Sequence, residues 1–404
     1  MQNKPRRDFL KKGLLGISGA ALIPGMLKAS DYSNPLVPFS PGLPTRVLGR
    51  TGIKSPLISM GSGGSTSPNF VRAAYDAGIK LFFSATYYGE GKNEQIVGEG
   101  LTGLPRDSFI ISTAAPMDGF DGRTGVFTKE FNPEEYLKKV DGSLQRFKLD
   151  YVDIFMVPYI CKPEHVVYEP LVNALLKLKE QGKTRFLGVA THDMCQDALI
   201  AAADAKIFDV FMIAYNYKLQ EKEGLDKAIK YATDAGMGII AMKTTAGAFR
   251  DKNRTSPLNT DAALKWVLQN ENISTIVSGM STIEEMQKNL SMIQNLKMSE
   301  QELKDLNLAG LNPEPGLYCH QCKKCIPQCR QNLDIPTLMR SYMYAYGYRD
   351  LEHAQHTLFE SGLAGKPCDM CDLCQVKCTA GFDIKDRVQD IARLREVPGD
   401  FLRV

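Results

Sequence analysis

The sequence predicts an α/β protein: a closed (β/α)8 barrel followed by a smaller, mainly helical, cysteine-rich domain. Three observations carry this reading. Eight apolar, β-rich runs alternate with segments of helical period between Thr45 and Asn295, the composition changes after Leu311, and eight of the ten cysteines lie beyond that change. A chain of 404 residues, 44% of them hydrophobic, is long enough for one large core and one small one. The net charge of +3 is close to neutral for this size and suggests no surface for nucleic acid or an anionic membrane, which would need clustered basic residues, so no nucleic-acid partner is expected.

The strand-like runs are residues 56–60, 80–85, 109–115, 151–159, 185–191, 210–215, 238–243 and 274–280. Helical segments lie between them. In residues 133–148, for example, Tyr136, Val140, Leu144 and Phe147 recur at spacings of three and four. Near-continuous apolar strands separated by amphipathic helices indicate a parallel sheet covered on both faces. Eight such units in about 250 residues match a closed barrel. An open doubly wound sheet is the competing architecture, but it calls for a phosphate-binding Gly-rich first turn. The turn here, Gly61-Ser62-Gly63-Gly64-Ser65, lacks that spacing.

Barrel active sites gather at the C-terminal ends of the strands. The polar residues at those ends are Thr86, Tyr87 and Tyr88 after the second strand, His192 after the fifth and Lys243 after the seventh. Tyr88, His192 and Lys243 are therefore the candidate catalytic residues, the last two as acid–base or anion-binding groups. The plainer alternative makes His192 a loop cap and Lys243 a solvated rim charge.

Residues 1–30 form a segment of their own. Arg6 and Arg7, followed by Phe9, Leu10 and Lys11, resemble a twin-arginine export signal. The uncharged stretch 13–27 is too short for a usual membrane span. The expectation is export by the twin-arginine route to a periplasmic or other extracytoplasmic site, with no membrane span in the mature protein. A basic amphipathic N-terminus that stays attached is the alternative. On this division the barrel occupies residues 31–312 and the tail 313–404, with Pro313 and Pro315 marking the linker.

The tail carries two runs, Cys319-x2-Cys322-x2-Cys325-x3-Cys329 and Cys368-x2-Cys371-x2-Cys374-x3-Cys378. Three cysteines at successive gaps of two wrap the backbone around one cubane, and in two-cluster ferredoxins the fourth ligates the other cluster. Two [4Fe–4S] clusters are expected, with Cys378 completing the first and Cys329 the second. A zinc site has no use for a third Cys-x2-Cys step, and a barrel of this size needs no disulfide staples. Arg330 and Thr379 stand where ferredoxin runs usually have proline, which removes no ligand. Between the runs, residues 335–360 read as helical. Tyr342, Tyr344, Tyr346 and Tyr348 are expected to pack the tail on the barrel, with an electron-relay role as the alternative. Cys161 and Cys195 read as ordinary barrel residues.

The barrel resembles the aldo/keto reductase family in four segments that stand in the family's order. These are Arg46-Val47-Leu48-Gly49-Arg50-Thr51-Gly52-Ile53, Tyr88-Gly89-Glu90-Gly91-Lys92-Asn93-Glu94, Leu149-Asp150-Tyr151-Val152-Asp153 and Gly182-Lys183-Thr184-Arg185-Phe186-Leu187-Gly188-Val189. The tail is similar to that of a subgroup with ferredoxin-like cysteine runs. The resemblance implies reduction of carbonyls by NADPH with an Asp, Tyr, Lys and His tetrad. Matched position by position, Tyr88 keeps the tyrosine, while Phe83, Ala114 and Pro158 stand where Asp, Lys and His are expected. Unassisted, a tyrosine hydroxyl has a pKa near 10 and is a poor acid.

The nicotinamide contacts that the resemblance implies are eroded too. Ala190-Thr191, Met212 and Gly279-Met280 replace the polar residues expected there, and only Tyr215 and Asn289 remain as candidate cofactor contacts. An exported protein also has little access to NADPH. The expected function is an exported oxidoreductase that exchanges electrons through its clusters with a redox partner protein or a small electron donor or acceptor, acting on an unnamed small molecule. Two alternatives stay open: an electron-transfer or docking subunit with a degenerate barrel, and an NADPH-dependent carbonyl reductase with atypical groups.

Overall fold

The computed structural model describes residues 42–64, 67–121, 126–193, 196–219, 221–311, 316–369, 371 and 373–402. The export signal, Cys195 and the two linker prolines lie outside the described residues. Eight parallel strands close a barrel: β1 Ile58–Gly61, β2 Leu81–Phe83, β3 Ile110–Ala114, β4 Val152–Pro158, β5 Thr184–Thr191, β6 Val210–Ala214, β7 Gly238–Met242 and β8 Thr275–Gly279. Each strand pairs with its neighbours in sequence, and β8 closes on β1 with Ile276 opposite Ile58. Helices α1 Pro68–Asp76, α2 Lys92–Leu101, α3 Pro133–Phe147, α4 Glu169–Glu180, α5 Gln196–Ala205, α6 Lys222–Asp234, α7 Thr260–Leu268 and α8 Ile283–Met292 follow the strands in turn.

Local chemistry sets these elements. Helix α3 starts where Asn132 Oδ1 accepts from the Glu134 and Glu135 amides, with Pro133 in the first turn. It buries Tyr136, Val140, Leu144 and Phe147 and ends at Lys148 in the left-handed region. Side chains alternate along the strands, so Phe83, Ala114, Met156, Met212 and Met242 meet inside the barrel as one apolar cluster.

Several residues of the family-like segments turn out to hold the barrel together. Arg46, in a hairpin formed by Thr45–Val47 and Lys54–Pro56, donates to the carbonyls of Leu268, Asn270 and Ile273. Asp153 is 1% exposed and lies between Arg106 at 2.7 Å and Arg185 at 2.8 Å, while accepting from the Ile111 amide. Glu94 accepts from Arg146 at 2.6 Å and from the Thr113 hydroxyl at 2.6 Å. Asn93 accepts from the Ser84 hydroxyl and donates to the Ser62 carbonyl, which ties the loops after β1 and β2 together.

Helix α9, Glu300–Leu311, lies beside α7, with Lys265 paired to Glu302 at 2.8 Å and Asn259 donating to Asp305. The tail then adds α10 Ile335–Met343, a π-helical turn Tyr344–Tyr348, α11 Leu351–Glu360 and α12 Ile384–Ala392. Its core joins Leu338, Met339, Leu358, Phe382, Val388 and Ile391 to Cys325 and Cys368. The tyrosines divide by face. Tyr348 accepts from the Gly247 amide and Tyr344 stacks on His353, whereas Tyr342 pairs with Tyr346 beside Arg387. Among the described residues no helix is long and apolar enough to cross a membrane.

Candidate functional site

The two cysteine runs are built the same way. Five residues after the last cysteine of each, an aspartate caps the next helix: Asp334 accepts from the Thr337 amide and Asp383 from the Asp386 amide. The repeats Leu333-Asp334-Ile335 and Phe382-Asp383-Ile384 were a second signal of duplication in the sequence. Gln321, Lys323 and Cys368 adopt positive φ, and Gln321 and Lys323 alternate with the first-run cysteines as the chain wraps inward.

The fold interleaves the runs. Cys319, Cys322 and Cys325 share one cavity with Cys378, enclosing about 360 Å³ of atom-free space walled by Ile335, Met339 and Phe382. In the second group Cys368 has Cys371, Cys374 and Cys329 as its charge neighbours. Gln328 and Gln331 stitch the two groups. Gln328 Oε1 accepts from the Lys377 amide, and Gln331 Oε1 accepts from the Cys368 amide. Backbone amides also point at sulfur, from Gln321 to Cys319 and from Ala380 to Cys378, both at 3.4 Å.

These residues suit an iron–sulfur cluster. The nine described cysteines are all free thiols. Among the described residues no three His, Cys, Asp or Glu side chains converge as a single-ion site. Burial, reinforced by neighbouring thiols, pushes Cys319 and Cys325 up to about 12 and Cys368 to about 11. Thiols held that high ionise only with strong positive charge beside them, which cluster iron supplies.

The tail also roofs the barrel mouth. The Tyr88 ring meets His353 at 5.2 Å, Tyr87 stacks on His356 at 6.0 Å, and the Tyr159 hydroxyl donates to Glu360 at 3.0 Å. Lys323 pairs with Asp193 at 2.7 Å and reaches Cys161 Sγ at 3.7 Å, so Cys161 touches the tail. Beneath this roof is a second cavity of about 250 Å³ of atom-free space, lined by His192, Lys243, Arg340, Tyr318, Met343 and, as a shared wall with the first, Cys319.

The candidates from the sequence fall differently. His192 and Lys243 come together in this cavity. His192 Nδ1 is shielded from solvent without a partner, and burial holds the imidazole well below its usual value, with Lys243 and Arg340 adding to the effect. Burial, then Arg340, lowers Lys243 to about 7. Its ammonium stands 4.4 Å from the Tyr344 ring centre. Tyr88 packs against Phe83, Tyr87 and His353 instead of lining the cavity, and burial, with Asp350 and Glu360 nearby, pushes its hydroxyl well above the normal range.

Tyr215 is not brought to the mouth. Inward positions on β6 are Val210 and Met212, so Tyr215 faces outward, beside Trp266, and donates to Asp226 at 2.6 Å. Asn289 is buried on α8. Arg340, Tyr344 and His353, which complete the site, were not singled out from the sequence as site residues. They sit about a hundred residues beyond Lys243, and no local pattern connects them to the barrel.

Residues 64–261 match the aldo/keto reductase family and residues 318–383 match the 4Fe-4S dicluster domain. The chain is 28% identical to L-galactose dehydrogenase of Arabidopsis thaliana over 318 residues, which cover 67% of this chain and 95% of that protein. It is 30% identical to aldo-keto reductase YhdN of Bacillus subtilis (strain 168) over 198 residues, covering 46% of this chain and 56% of that one. Among solved structures, the holo form of aldo-keto reductase AKR11C1 from Bacillus halodurans superposes with a TM-score of 0.52 at 18% identity. That match covers 69% of this chain and all (100%) of the other, and it supports the barrel fold.

Proposed function

We propose that this chain, a member of the aldo/keto reductase family with a 4Fe-4S dicluster domain at its C-terminus, is an exported oxidoreductase that exchanges electrons through two [4Fe–4S] clusters and not by the family's NADPH tetrad. The observation that carries this reading is Cys319, which lines both the four-thiol cavity and the cavity at the barrel mouth. The clusters, when bound, supply one-electron transfer. Cys319, Cys322, Cys325 and Cys378 would hold the first, and Cys368, Cys371, Cys374 and Cys329 the second.

The chain's own residues set up the mouth for a reaction. The roof of α10, the π-helical turn and α11 excludes water and strengthens the electrostatics beneath it. Lys243, held at about 7, is able to give up a proton near neutral pH, and His192, whose Nδ1 is buried without a partner, lines the same cavity. Tyr88 serves poorly as an acid, because Phe83 and Ala114 provide no charge to assist it and burial raises it further. Arg6 and Arg7 support the export part of the reading.

One observation favours a second reading, an electron-transfer subunit without turnover of its own: the barrel interior below the cavity is filled by Phe83, Ala114, Met156 and Met212. Electron exchange that is unchanged in Lys243→Met and His192→Ala would select it. The proposed function is tested by purifying the protein without oxygen, measuring iron and sulfide, and titrating it with NADPH by calorimetry. About eight iron and eight sulfide per chain with no heat from NADPH is expected. NADPH binding followed by hydride transfer to a carbonyl would overturn it.

A further inference from the structure

Positive charge gathers where the tail meets the barrel, beside the first four-thiol group. Arg387 of α12 donates through Nη2 to the Gly316 carbonyl at 2.7 Å, while its Nη1 is shielded from solvent without a partner. The guanidinium carbon stands 3.9 Å from the centre of the Phe382 ring, and Phe382 is a wall of the first four-thiol cavity. Cys378 and Cys319, two of the four thiols, are among its charge neighbours. Lys218, after β6, approaches Gly316 from the barrel side: a Cβ on Gly316 would stand 2.5 Å from the Lys218 ammonium nitrogen.

Neither cation forms an ion pair among the described residues. The charged groups acting on Lys218 are Arg250 and Arg387, both of its own sign. Asp383 acts on Arg387, but that carboxylate is exposed and already accepts from the Asp386 amide as the cap of α12. Like charges partly withdrawn from water side by side are costly unless negative charge joins them. The internal repeat singles out Arg387. It stands four residues after the capping Asp383, and Leu338, fully buried, holds the same place after Asp334. Packing of the repeat is therefore met by an apolar side chain at this position, and the charge has another use. Two residues before Arg387, Lys385 donates to the Cys371 carbonyl at 3.0 Å, in the second four-thiol group. Residues two apart lie on nearly opposite sides of a helix, so α12 sends one cation towards each group.

We propose that Arg387, backed by Lys218, raises the reduction potential of the cluster held by Cys319, Cys322, Cys325 and Cys378, and so draws the electron to the group that borders the barrel mouth. This rests on the reading of the tail as a two-cluster domain, and it adds which residues set the balance between the clusters. A cluster on four thiolates is negatively charged, and one-electron reduction adds one more negative charge. Fixed positive charge beside the thiolates favours the reduced form, and an arginine does not shed its charge.

The test is an anaerobic potentiometric titration of the full-length, cluster-loaded protein followed by electron paramagnetic resonance (EPR), alongside Arg387→Leu, Arg387→Lys, Lys218→Met and Lys385→Met. The centre of the first group is identified as the one that Cys322→Ser removes. Arg387→Leu is expected to disfavour reduction of that centre about tenfold, a fall of about 59 mV for a one-electron couple, and to leave the other centre in place. Lys218→Met is expected to shift the same centre in the same direction, Arg387→Lys to restore most of the potential, and Lys385→Met to shift the other centre. Where Arg387→Leu loses its iron, Lys218→Met on the barrel side decides the question. Unchanged potentials in the variants that keep their clusters, or equal shifts of both centres, overturn the proposal and leave the two-cluster reading intact. Unaltered protein with no iron–sulfur signal removes that reading and the proposal with it.

Discussion

Gly347 of the tail lies against Gly247 of the barrel so closely that a Cβ on Gly347 would stand 2.6 Å from the Gly247 carbonyl oxygen. The Tyr348 hydroxyl seals the same contact by accepting from the Gly247 amide at 3.2 Å. At this point the joint between barrel and roof is backbone against backbone, with no flexible side chain to yield. Gly347→Ala is expected to force the two apart at a cost of about 1–3 kcal/mol. Denaturant unfolding measures the loss, and limited proteolysis should release the tail sooner than in the unaltered protein.

Asp153 is the buried hub at the start of β4, held by Arg106, Arg185 and the Ile111 amide. Asp153→Asn leaves two partly exposed guanidinium groups without their shared counter-charge and should cost about 1–3 kcal/mol. Chemical denaturation checks this. Iron content per folded chain is expected to stay the same, because the hub lies apart from the cysteine runs.

Lys243 carries a pH dependence whose sign is fixed by its lowered value of about 7. Below that pH the side chain is charged in both folded and unfolded chains, and the folded state bears the whole desolvation cost. As pH rises from about 7 towards the ordinary lysine value the folded form is neutral while the unfolded chain is still charged, so the cost fades. The groups around it, Arg340, Asp350, His192 and Tyr344, remain in place when it is removed. Lys243→Met is thus expected to stabilise the protein by a larger margin at pH 6 than at pH 9, as read from paired denaturation curves.

Interleaving of the runs makes a prediction about pairs of substitutions. Cys378→Ser and Cys322→Ser strike one four-thiol group, so combining them should remove no more iron than either alone, about half of the total. Cys378→Ser combined with Cys371→Ser strikes both groups and should remove nearly all of it. Iron analysis of the purified variants distinguishes this from a pattern in which each run holds its own cluster.

Much of the architecture was legible because it depends on local chemistry. The β-rich run at 210–215 gave β6, the period in residues 133–148 gave α3, and the cysteine spacings pointed to two four-thiol groups. Phe83, Ala114 and Pro158 were readable as replacements because neighbouring residues anchor their positions. Tyr215 was harder: alternation along β6 turns its ring away from the barrel, and a strand's register is a property of the closed sheet. The meeting of Lys243 with Arg340, Tyr344 and His353 was out of reach for a related reason. It arises where the tail folds back on the barrel, and no pattern within either segment encodes that return.

The central claim is that the redox equipment of this protein lies in the eight thiols of the tail. A potentiometric titration of the anaerobically purified protein, followed by EPR, tests it most directly. Two [4Fe–4S] centres should appear on stepwise reduction, each following a one-electron curve. Protein that folds with its full barrel yet yields no reducible iron–sulfur signal would contradict it.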